Sequence, residues 1–71
     1  MERSLELQHL AEAEQHIARG VQHILDQEIR IADLDLRGHD STLARSLLET
    51  FRLTQAQHVA HRDRILRLLG Q

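Results

Sequence analysis

Along the first half of the chain, small and apolar residues recur at alternating steps of three and four: Leu10, Ala13, Ile17, Gly20, Ile24, Gln27, Ile31 and Leu34, with Gln27 the one polar member. The same spacing appears as a sequence repeat. Leu7-Gln8-His9-Leu10, Glu14-Gln15-His16-Ile17 and Val21-Gln22-His23-Ile24 open successive seven-residue units, and Glu28–Leu34 is a decayed fourth copy. A strict heptad is the period of a helix that keeps one face toward another helix and supercoils left-handedly around it. Gly38 is the strong stop signal after this run, and Gly38-His39-Asp40-Ser41-Thr42 reads as a helix C-cap followed by a new N-cap from Asp40 or Ser41. The pattern predicts helix 1 over about residues 4–37 with Ser4 as its cap, a turn at 38–41, and helix 2 over about 42–69 ending at Gly70. So short a link makes the two helices antiparallel neighbours. The expected fold class is all-α, an antiparallel two-helix hairpin forming one domain over residues 1–71.

With Gly38–Asp40 as the tip, the matching seam on helix 2 is Ala44, Leu47, Phe51, Thr54, His58, His61, Ile65 and Leu68. Large residues then meet small ones, His58 opposite Gly20 and Leu34 opposite Ala44, as core packing requires. A hairpin needs one apolar stripe per helix, yet each helix carries a second. Helix 1 adds Leu7, Ala11, Ala18, Val21, Leu25, Ile29, Ala32 and Leu36, interrupted at Glu14, and helix 2 adds Leu48, Val59, Leu66 and Leu69. An exposed strip of this kind marks an interface, and the simplest cover is a second copy, giving a two-fold four-helix bundle.

Composition strengthens the oligomer expectation. Chains of 71 residues seldom bury enough apolar surface alone, and the absence of Cys removes the disulfide staple. No Pro, Trp or Tyr occurs, and Phe51 is the single aromatic outside histidine, which favours long helices over strands. Charge is divided: residues 1–36 hold eight acids against three Arg, and residues 37–71 hold six Arg against three acids. Opposite halves attract, so the Arg of helix 2 complement the acids of helix 1. A net charge of −2 and the lack of stacking aromatics argue against nucleic-acid binding. Met1–Leu10 carries no apolar run, and no segment reads as a signal peptide or membrane span, so the expected location is cytoplasmic.

Candidate chemistry rests on six histidines. His9, His16 and His23 share one line on helix 1, about 10 Å apart, too far for any two to chelate one ion; they read as a solvated flank beside Glu12 and Asp26. His58 and His61 stand three apart on helix 2, on its expected seam. A buried polar layer with Thr54 and Gln27, a metal half-site joined by His16 or His23, and a planar cofactor such as haem beside Gly20 are the three readings of this pair. The di-iron pattern is lacking, since Glu6-Leu7-Gln8-His9 alone has the Glu-x-x-His spelling. No Cys nucleophile or Gly-rich phosphate loop supports an enzyme.

The runs His16–Gly20, Gly38–Ala44, Leu47–Phe51 and His58–Arg64 resemble a group of short helical-hairpin proteins of soil and photosynthetic alphaproteobacteria, for which no activity is established. That resemblance spans nearly the whole chain and implies a self-sufficient hairpin. The expected function is a non-enzymatic module that associates with itself, or with another protein, and needs no cofactor. The alternative is a small metal- or haem-binding four-helix bundle built on His58 and His61.

Overall fold

In the computed structural model, which describes residues 2–70, the chain is a pair of antiparallel helices, α1 (Glu2–Leu36) and α2 (Thr42–Leu69). The hairpin is long and thin, 55 × 14 × 13 Å in its Cα envelope. α1 is already helical at Glu2, so Ser4 lies inside the helix and does not cap it. Neither helix is long and apolar enough to cross a membrane.

The reversal is tight and fixed by backbone bonds. His39 N–H donates to the Leu34 carbonyl at 2.9 Å and Gly38 N–H to the Asp35 carbonyl at 3.1 Å, the paired bonds of a Schellman C-cap. Gly38 supplies the left-handed residue this cap requires, with φ +70° and open space where a Cβ would sit. Gly38→Ala is therefore expected to cost about 1 kcal/mol through backbone conformation alone, with Gly38→Asn costing less; urea unfolding of the two variants measures the difference.

α2 opens on a polar clasp. The Asp40 carboxylate accepts from the Thr42 N–H at 3.0 Å and from the Thr42 hydroxyl at 2.7 Å, and these bonds hold its carboxyl below the usual carboxylate range. Ser41 is buried and uses its hydroxyl across the turn, donating to Asp35 and accepting from the Arg45 guanidinium, which also reaches Asp35 at 2.6 Å. Further along the same flank Arg52 pairs with Glu28 at 3.4 Å. The acids of α1 thus meet Arg of α2, as the charge division predicts. Both pairs are about half exposed, so each contributes only ~0.2–1 kcal/mol.

Every residue of the α1 seam from Leu10 to Leu34 is buried or half-buried, as the heptad predicts. On α2 the register differs. The chain turns back immediately at Gly38 and has descended to the level of Asp35 by Ser41, so the tip comes earlier than the Gly38–Asp40 midpoint. Gln55, three residues before His58, is what lies against Gly20. Ala44, Phe51, His58 and Ile65 stay on the seam, but Leu47, Thr54, His61 and Leu68 are exposed and Leu48, Gln55, Arg62 and Leu69 take their places. The core is thin: Ala13, Ile31 and Ile65 are the buried apolar residues among those described. Gln27 is buried with them and donates its side-chain N–H to the Ala44 carbonyl at 2.9 Å, which ties the helices near the tip.

Candidate functional site

The seam divides the hairpin surface into two flanks. One is marked by the Glu28–Arg52 and Asp35–Arg45 pairs. One heptad from the first pair, on the same rows, stand Val21 on α1 and Val59 on α2, with Leu7 and Leu66 farther toward the open end. Leu25, Ala18 and Ala11 form the adjoining row of α1. Val21, Leu25, Leu7 and Leu66 are each close to half exposed, and Ile29 at the outer edge is 67% exposed. This flank is the second apolar stripe. Leu48 and Leu69, expected on it, lie half-buried in the hairpin's own seam because of the three-residue shift in register.

The other flank carries the histidines. His16 of α1 stacks on His58 of α2, ring centroids 5.1 Å apart and planes 10° from parallel. One heptad along, His23 tilts against Phe51 at 5.9 Å. Between these pairs runs an open groove of about 240 Å³, walled by Arg19 and Thr54 and floored by Gly20 and Gln55. His58 is half-buried, while His16, His23 and His61 are exposed. The structure therefore joins His58 to His16 across the helices; His61, taken off the seam by the register, does not line this groove. Among the described residues no cluster of three or more His, Cys, Asp or Glu is gathered for a metal ion. The near-parallel rings set their nitrogen lone pairs side by side instead of converging on one point.

Gln55 is the residue that sequence reasoning missed. Its side-chain N–H donates to the Ile17 carbonyl at 2.9 Å, and its Oε1 is buried with no hydrogen-bond donor among the described residues. That oxygen occupies the space a Cβ on Gly20 would need. The position directly over Gly20, which the alternative haem reading would use, is taken by this amide, and the open groove lies outside it. A glycine on a helix seam implies a long partner across it, which is the signal that pointed here, but turn length decided which residue supplies it.

The arrangement sets two opposed terms against each other. Gly20→Ala gains up to about 1 kcal/mol of helix propensity but expels the amide and loses a hydrogen bond worth about 0.5–1.5 kcal/mol. Little net change is expected in the presence of Gln55. In a Gln55→Ala background the same substitution should stabilise, giving a coupling near 1 kcal/mol in a double-mutant cycle followed by thermal unfolding.

The chain matches no protein-family model, no curated protein and no solved structure. What stands of the resemblance is the small two-helix hairpin; no match supports the alphaproteobacterial assignment.

Proposed function

We infer that this protein is a non-enzymatic module that works by self-association, two hairpins joining along the flank of Leu7, Ala11, Ala18, Val21, Leu25, Val59 and Leu66 into a two-fold four-helix bundle. The observation that carries this reading is the area the single hairpin leaves in water. A folded monomer of 8.2 kDa exposes about 4,500 Å² on the usual size scaling, and this chain exposes 5582 Å². The excess is on the order of the ~800 Å² that each partner of a standard interface buries. The radius of gyration agrees, 16.3 Å against about 11 Å for a compact domain of this length. A self-complementary apolar flank fits a second copy, since a two-fold axis places the same residues on both sides.

Sedimentation equilibrium at micromolar concentration tests it. A mass twice that of the chain supports the dimer, and a stable, folded monomer rules it out. Binding of a different protein through the same flank would then be sought by pull-down.

A further inference from the structure

We propose that His16 and His58 form a cross-helix site for a divalent transition metal ion of the Zn²⁺ or Ni²⁺ type, which ties α1 to α2. The site is independent of the dimer, because both ligands belong to one chain. An ion held tetrahedrally by two imidazole nitrogens at about 2.0–2.1 Å places the ring centroids about 5 Å apart. The His16 and His58 centroids are 5.1 Å apart already. What differs is ring orientation: the planes lie 10° from parallel, and a chelate needs the nitrogens to converge. Turning a ring about its Cβ–Cγ bond moves along a broad, soft torsion, and exposed His16 is free to make that turn.

Imidazole ligands select Zn²⁺, Ni²⁺ or Cu²⁺ over Mg²⁺ and Ca²⁺, which want oxygen. With two protein ligands the site is an open one, and water completes the coordination. Among the described residues no third His, Cys, Asp or Glu joins the pair, so the two imidazoles are the protein's whole contribution. Arg19 lines the groove and opposes a cation, but it is solvent-exposed and its charge is screened. The rival pair, His58 with His61 along α2, has helical spacing alone in its favour.

Titration calorimetry of the full, untagged chain with ZnCl₂ or NiCl₂, paired with thermal unfolding, separates the two pairs. One ion per chain and a raised Tm are expected for the wild type, since only the folded hairpin brings the two ligands together. In His16→Gln the affinity should fall about tenfold or more with the loss of one of two ligands, and in His61→Gln it should stay unchanged. Far-UV circular dichroism shows that His16→Gln still folds, as its exposed position leads one to expect. No stoichiometric uptake by the wild type, undiminished affinity in His16→Gln, or a loss of affinity in His61→Gln would each overturn the proposal.

Discussion

Ile65→Asp is expected to abolish the folded hairpin. Ile65 is 4% exposed and is one of three buried apolar side chains among the described residues. Removing a buried aliphatic side chain costs about 2–5 kcal/mol, and a carboxylate placed there without a partner adds several more. A chain of 71 residues has a total stability on the order of 4–10 kcal/mol. The penalty is therefore comparable to everything the fold has. Far-UV circular dichroism at 25 °C should show the helical signal largely lost. Leu36→Asp and Leu43→Asp are the controls: these side chains are 88% and 83% exposed, and their helices should persist.

The double substitution Val21→Glu with Leu25→Glu is expected to separate the proposed dimer and leave each hairpin folded. Both side chains are close to half exposed in the single chain, so half their area is left for a partner to cover. Two-fold symmetry counts each change twice. At about 1 kcal/mol for each of the half-burials lost, the dimer is weakened by about 4 kcal/mol, or roughly a thousandfold in Kd. Glutamates facing each other across the axis add repulsion. Sedimentation should report the monomer mass at concentrations where the wild type is dimeric, with the circular dichroism spectrum retained. An unchanged dimer would move the interface elsewhere.

The two helices and their antiparallel order were legible in the sequence because local signals agree there: a strict heptad, one strong glycine stop, and no Pro to interrupt either helix. The α1 seam was legible for the same reason, since period alone fixes the face of a helix. On α2 period was insufficient. The row Leu47, Thr54, His61, Leu68 and the row Leu48, Gln55, Arg62, Leu69 both interleave with Ala44, Phe51, His58 and Ile65 at helical spacing. Choosing between them depends on how soon the chain turns back. The Schellman bonds at Gly38 and the descent to Ser41 settle that, and a pattern of apolar residues carries no record of it.

The histidine flank shows the same limit. His16 reads as a solvated residue one row off the seam, yet in an antiparallel pair a flanking residue of one helix meets a seam residue of the other, and His58 is that residue. The spacing within each helix pointed to His58 with His61. Contacts between helices depend on register, and the register was the part hidden in the turn.

The proposed two-fold bundle is tested by an isotope-filtered methyl NOE experiment on a mixture of labelled and unlabelled chains. Intermolecular NOEs are expected from the methyls of Val21, Leu25, Val59 and Leu66. Intermolecular NOEs confined to Leu5, Leu43, Leu47 and Leu68, or none at all, would contradict it.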